Sequence, residues 1–503
     1  MLALLSFSLL LIAVDATVLH IAVPALTAAL EPSAVELLWI IDVYSLVVAP
    51  LLVTFGTLGD RYGKRRFVLA GYVVFGVASL AAAFSGGPLA LILSRALLGV
   101  GGAMIMPATL SIIRQVFTDR RERAIALGVW SAVAAGGAAL GPLVGGVLVE
   151  HFWWGAVFLI NVPLLVVALP LATRLLPRSD GDPGHGWDVP SAALSTLGVL
   201  FLAFGLKELG HGGTVGTAPA VAIMIAGVGL LVWFTARQRR LARPFLDIGL
   251  FSERGFAIGV LCVLLAVFSL VGLQLMLAQY LQLVLGDSPL RAGARMLPLM
   301  IAAIAGGLCA AHLLQRFGLR ATMTGGLALA GLALAPTLLW GAEQHPVMLC
   351  VCFAGIGFGV EVALLAASDT IMASAPESRA GGAAAIEETA YELGAGLGVA
   401  VLGTVTTIVY APGVAAVPGV APAAMGQARE SLASAAHVAR EVGGPAGDSL
   451  MDGARAAFVT ALHSTILVSV ALLAVTAITA LVLLPRRPSR SPVPGPDRER
   501  IPL

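Results

Sequence analysis

Three glutamates, Glu387, Glu388 and Glu392, sit inside the apolar stretch AAAIEETAYELGAGLGVAVLG, residues 383–403. A carboxylate at the centre of a bilayer costs about 2.5–3.5 kcal/mol, so three could cost up to roughly 10 kcal/mol. Two events reduce that cost: protonation of the carboxyl, or a cation bound beside it. At one site these exclude each other, and their competition is the chemistry of a proton/cation antiporter. Moving one charge through 100 mV supplies about 2.3 kcal/mol to drive it. Glu388 and Glu392 are four residues apart and share a helix face, where their charges repel. Glu387 lies about 100° further round, one turn from Tyr391, so the three do not face one cavity equally.

Other ionisable residues fall in apolar surroundings. Asp15 is in AVDATVLHIAVP and Asp42 in WIIDVYSL; Arg95 opens RALLGVGGAMIMP; Glu361 and Asp369 are two turns apart in one apolar block. Asp369 falls near a span end, where water reaches it. Arg95 needs either a carboxylate partner or a part in proton coupling. His20 and His312 could relay protons, although a membrane histidine more often bridges helices. Trp39, Tyr44, Tyr280, Phe358 and Tyr391 offer ring faces to a lipophilic cation, most of them serving as packing.

No H-E-x-x-H, G-x-S-x-G or phosphate-binding loop is present, so neither an enzyme nor ATP-driven pumping is expected. Cys262, Cys309, Cys350 and Cys352 lie in apolar blocks without ligand spacing, and imply neither a disulfide nor a metal site. No cofactor and no nucleic-acid partner is expected.

These residues need membrane helices to position them. Of 503 residues, 58% are hydrophobic and 12% charged, against about 25% charged in soluble chains. The apolar residues come in blocks long enough to cross a bilayer core of about 30 Å. Fourteen such blocks run from 4–28 to 457–485, giving an all-α polytopic membrane protein. The first reads as a retained span, not a cleaved signal peptide. With the N-terminus inside, one set of loops collects most of the Lys and Arg, among them DRYGKRR, TDRRER and RQRRLARPF. This bias places both termini in the cytoplasm.

An internal repeat appears at an offset of 255 residues: DRYGKR from Asp60 matches QRFGLR from Gln315. The plan is six spans (1–178), two inserted spans (179–250) and six spans (251–485), followed by a disordered cytoplasmic tail (486–503). Parallel six-span halves enclosing a mid-membrane site are an alternating-access plan. An external segment, 411–456, has helical spacing of Met425, Leu432, Val438 and Val442; a disordered loop is the alternative.

Three motifs carry more. GTLGDRYGKRR places Gly56, Gly59 and Gly63 for close turns, with Asp60, Arg61 and Arg65 available for charge pairing. In GAALGPLVGG, Gly137, Gly141 and Gly145 line one helix face, and Pro142 invites a kink. Either ordinary close packing or a bendable seal follows from that spacing.

These stretches, with RALLGVGGAMIMP, resemble the loop, span-4 and span-5 motifs of the major facilitator superfamily. With fourteen spans the chain resembles its drug:proton antiporter family, and AIEETAYELGAGLGVAVLG and WIIDVYSL resemble the QacA- and SmvA-like branch. That resemblance implies a monomeric plasma (inner) membrane exporter of quaternary ammonium compounds and other lipophilic cations in exchange for protons. Asp15 and Asp42 match acidic positions that bind cation or proton there, and the span-5 motif implies a conformational role for its glycines. The chain departs from the pattern in span 10, where Ala303 replaces an acid, and in span 12, where Glu361 and Asp369 stand in for apolar residues. A dedicated exporter of one neutral or anionic natural product is the alternative, and a non-transporting membrane sensor a remote one.

Overall fold

The computed structural model describes residues 1–117, 119–177, 188–211, 216–241, 244, 248–339, 341, 346–374 and 380–484. The expected tail 486–503 and all of 179–187 lie outside the described residues. The first helices are α1 (Leu2–Leu30), α2 (Ala34–Tyr62), α3 (Lys64–Ala83), α4 (Pro88–Val116), α5 (Arg120–His151), α6 (Ala156–Leu159) and α7 (Asn161–Leu175). A hairpin follows, α8 (Val189–His211) and α9 (Thr217–Gln238). Then come α10 (Arg254–Gln279), α11 (Pro289–Leu334), α12 (Pro346–Ser374), α13 (Ala380–Gly413), α14 (Pro422–Ala428), α15 (Leu432–Val442) and α16 (Gly444–Leu483).

Among the described residues, twelve helical segments are long and apolar enough to cross a membrane. Fourteen were expected. The difference lies in α5, 32 residues long, and α8, 23 residues long with an apolar stretch over Val189–Gly205; both contain positions outside the described set.

The repeat is visible in the backbone. Gly63 ends α2 at φ 101°, and Gly318 kinks α11 at φ 78°, separating the span Pro289–Phe317 from the span Leu319–Leu339, which runs on past α11 through a 3-10 helix. A Cβ would strain either turn. The flanking residues correspond as well: the Arg61 guanidinium lies 5.3 Å from the Tyr62 ring centre, and that of Arg316 lies 5.5 Å from Phe317.

The two halves meet along two seams, α2 with α13 and α5 with α11. They are joined at the end opposite the DRYGKRR turn, called here the far end. There Gln282 donates to the Ile21 carbonyl (3.1 Å), and Glu150 accepts from the Ser288 hydroxyl (2.8 Å) and the Leu290 N–H (3.0 Å). Gly146 of α5 packs on Pro289 and Leu290, and Gly293 of α11 on Pro142.

The 411–456 segment is helical at the far end. Met425, Leu432 and Val438 are buried, whereas Val442 is 36% exposed. Tyr410 donates to the Ala428 carbonyl, and His437 lies 3.3 Å from both Glu31 and Glu441. The last helix starts at Gly444, before the expected 457, because its first turns pack on α15 and need not be apolar enough to meet lipid.

Candidate functional site

The site is assembled from one buried ion pair in the first half and a group of carboxylates in the second. Asp15 of α1 is fully buried. Its Oδ2 accepts from Arg95 Nη1 at 2.9 Å, and its Oδ1 from Asn161 Nδ2 at 2.8 Å. Asn161 reaches Ser79 as well, at 3.1 Å. Arg95 of α4 is 1% exposed and also donates to the carbonyls of Ile40 (3.1 Å) and Ile41 (3.3 Å). Its guanidinium lies 4.9 Å from the Tyr44 ring centre and 5.8 Å from that of Phe158. A charge this deep persists only when paired and hydrogen-bonded, and here each condition is met.

The carboxylates of α13 and α12 are arranged differently. Glu392 is buried and hydrogen-bonded to Ser45 of α2, across the seam between the halves. Glu388 is in electrostatic contact with Glu387 and Glu392. Glu361 of α12, Glu388 and Glu392 all lie within electrostatic range of the Tyr391 hydroxyl, on a ring that is 39% exposed. Glu361 also packs on Gly306 and Gly307 of α11. Glu387 turns aside to a hydrogen bond with Ser368 of α12. Among the described residues none of these four makes an ion pair, in contrast with Asp15.

Asp42 is 2% exposed on α2, one turn before Ser45. Asp369 is exposed, as a span-end position should be. Tyr44 turns its ring to Arg95, Trp39 packs on Phe204 at 6.2 Å, and Tyr280 donates to the Gly341 carbonyl. A small cavity of about 40 Å³, lined by Leu38, Met276, Thr406, Tyr410, Glu430 and Phe458, lies under α15 at the far end, away from the acids.

Gly137, Gly141 and Gly145 press α5 onto α1: a Cβ at Gly141 would stand 2.9 Å from Thr17 Cβ, and one at Gly145 would stand 2.8 Å from the Val18 carbonyl. The contact with the other half falls on the adjoining face, through Pro142 and Gly146. In the loop motif, Gly56 approaches Pro107 and Gly59 approaches Phe67, while Arg65 donates to the Thr173 carbonyl. The side chain of Asp60 lies outside the described residues.

Sequence reasoning missed Asn161, Ser45, Gly146 and Gly293. Asn161 carries a signal of its own, a polar residue in the apolar run FLINVPLL.

At the far end, burial raises the carboxyls of Asp287 and Glu430, whereas that of Glu150 is lowered. The Ser288 hydroxyl, and then the Leu290 N–H, hold its carboxyl below the usual value of 4.5. At the ends of the hairpin helices, Asp188 pairs with Arg237 at 2.9 Å.

Comparison with known proteins agrees with this architecture. The chain is 42% identical over 469 residues to the multidrug efflux pump LfrA of Mycolicibacterium smegmatis, covering 93% of this chain and 92% of that one. It is 41% identical over 460 residues to the methyl viologen resistance protein SmvA of Salmonella typhimurium, covering 91% and 92%. The fold matches a solved bacterial homologue of the human lysosomal transporter Spinster, inward-facing and occupied, with a TM-score of 0.66 at 18% identity over 96% of each chain. These likenesses point to a multi-pass membrane transporter and not an enzyme. The profile of the Major Facilitator Superfamily matches residues 5–399, and the chain belongs to that superfamily.

Proposed function

We propose that this transporter exports lipophilic cations in exchange for protons by alternating access across the plasma membrane. The observation that carries this reading is the group of Glu361, Glu388 and Glu392 around Tyr391, which makes no ion pair among the described residues. Carboxylates held in a membrane protein without a resident cation take one from outside, either H⁺ or an organic cation. The Tyr391 ring gives that cation an aromatic face. The relative named for methyl viologen resistance supports the class, since methyl viologen is itself an organic dication.

Asp15 already holds Arg95, so its part in this reading is the proton rather than the drug; Arg95 is its coupling partner. Asp42 and Glu387 remain candidate substrate or proton residues. The glycines and Pro142 of α5, with the Gly56–Arg65 turn, serve the conformational change. Helices α5 and α8 complete fourteen spans in a 6 + 2 + 6 order of the QacA-like kind, with the DRYGKRR end and both termini cytoplasmic. In this reading the joined far end is the closed outer side of a monomeric pump.

Reconstituted protein decides the matter. An imposed proton gradient should drive uptake of a quaternary ammonium dye, and Glu388→Gln with Glu392→Gln should reduce it at least about tenfold, the loss of roughly 1.4 kcal/mol of cation binding. Uptake indifferent to the gradient, or undiminished in that double variant, refutes the reading.

A further inference from the structure

The ion pair and the carboxylate group belong to different halves, yet one turn of α2 touches both. Ile40 and Ile41 give their carbonyls to Arg95, Tyr44 lays its ring against the same guanidinium, and Ser45 hydrogen-bonds Glu392. In an α-helix the carbonyls of residues 40 and 41 are also the acceptors for the N–H groups of residues 44 and 45. Arg95 therefore shares acceptors with the backbone that carries Tyr44 and Ser45.

Tyr44 is built into this place from the other side. Arg95, Gly99 and Gly102 are on one face of α4. A Cβ at Gly99 would stand 2.8 Å from the Tyr44 carbonyl, and one at Gly102 would stand 2.7 Å from the Tyr44 hydroxyl. Two glycines thus admit the tyrosine against α4, where its ring meets Arg95. The ring is 1% exposed, and its hydroxyl makes no hydrogen bond among the described residues. Its electrostatic neighbours come from both sides: Glu392 and Glu388 from α13, Asp15 from α1 and Arg95 from α4. Among the described residues the charges acting on Tyr44 include one cation, Arg95, and His20 of α1 lies within electrostatic range of the same guanidinium.

We infer that Tyr44 is the positioning residue that couples the two sites, acting through its ring and not through its hydroxyl. The ring holds Arg95 on the Ile40–Ser45 turn, so that a change at the Asp15–Arg95 pair is felt at Ser45 and hence at Glu392. A proton on Asp15 removes the negative partner of Arg95. The guanidinium then rests more heavily on the two carbonyls and on the ring, and the turn bearing Ser45 responds. The inference rests on the proton-coupled reading above, and deepens it by naming the connection.

The test is the ratio of drug Kd at low and high pH, measured with a quaternary ammonium dye on detergent-purified full-length protein. A wild type without pH-dependent dye binding would sink the proton-coupled reading itself. Given a pH-dependent wild type, Tyr44→Leu should shrink the ratio roughly two- to thirtyfold, the span of a partly to fully desolvated cation–π contact. Affinity at high pH should be kept, because Glu388 and Glu392 are untouched. Tyr44→Phe should retain the full ratio, since the hydroxyl has no partner to lose. In an Asp15→Asn background, Tyr44→Leu should add nothing further. The inference is overturned if Tyr44→Phe loses coupling, which would make the hydroxyl a relay. It is equally overturned if Tyr44→Leu keeps the ratio, or if its effect adds to that of Asp15→Asn. Should Tyr44→Leu not fold, the Tyr44→Phe result still decides between ring and hydroxyl.

Discussion

Gly293→Ala puts one methyl group into the joint that closes the far end. Built on the present backbone, that carbon would lie 2.4 Å from the Pro142 carbonyl oxygen, 3.0 Å from its carbon and 3.2 Å from Leu143 Cα. Ordinary contacts begin near 3.4 Å, so α5 and α11 must separate by about 1 Å. The obstacle is backbone and cannot rotate aside. Overpacking of this kind costs about 1–3 kcal/mol, which is a shift of about five- to 150-fold against the joined far end. Spin labels at Val147→Cys and Arg291→Cys, in a background with the exposed Cys309 and Cys350 replaced by serine, read the separation directly. The distance distribution should move toward longer values. Gly325→Ala, in the second part of the same helix, meets nothing within 4 Å and should leave it unchanged. An unaltered distribution in folded Gly293→Ala protein, or an equal change in the control, refutes the reasoning.

Two other outcomes follow from contacts already described. Asp15→Asn leaves Arg95 charged and buried, and should destabilise the detergent-solubilised protein by about 3–5 kcal/mol. The Asp15→Asn, Arg95→Met double variant should lose less than the two single variants summed, and strict additivity in thermal unfolding would contradict the pairing. For Glu150, a carboxyl lowered in the folded protein stabilises the far-end joint above its ordinary value of 4.5, and that contribution is lost as pH falls through the lowered value. The Val147–Arg291 distance should therefore lengthen on acidification below about 4.5, while Glu150→Gln should flatten that dependence; a pH-insensitive wild-type distance would remove Glu150 from the joint.

Apolar blocks long enough to cross a bilayer are written directly in the composition, and so is the pairing of DRYGKR with QRFGLR, which reappears as two positive-φ glycines. The acids around Tyr391 were legible too, because a carboxylate in an apolar run stands out whatever it faces. What lies opposite a helix face is not local information. The partner of Arg95 is 80 positions away, and Asn161 comes from a third helix. Likewise, four-residue spacing marked the α5 glycines as a packing face, but it does not say that α1 fills that face while Gly146, one step round, meets the other half. Tyr44 reads as one aromatic among many until Gly99 and Gly102 are seen to make room for it.

The α8–α9 hairpin makes the two seams between the halves unequal. Helix α8 lies against both α2 and α13: Phe204 meets Trp39, and Val199 and Ala203 form a small cluster with Leu46, Leu393 and Leu397. Its partner α9 turns most of its surface outward. Under the alternating-access reading, rotation of one half against the other requires α8 to slip along at least one of the two helices it bridges. Among the element contacts of the described residues, neither hairpin helix spans the α5–α11 boundary in this way, so the flanks of the molecule differ in their sideways access to oil.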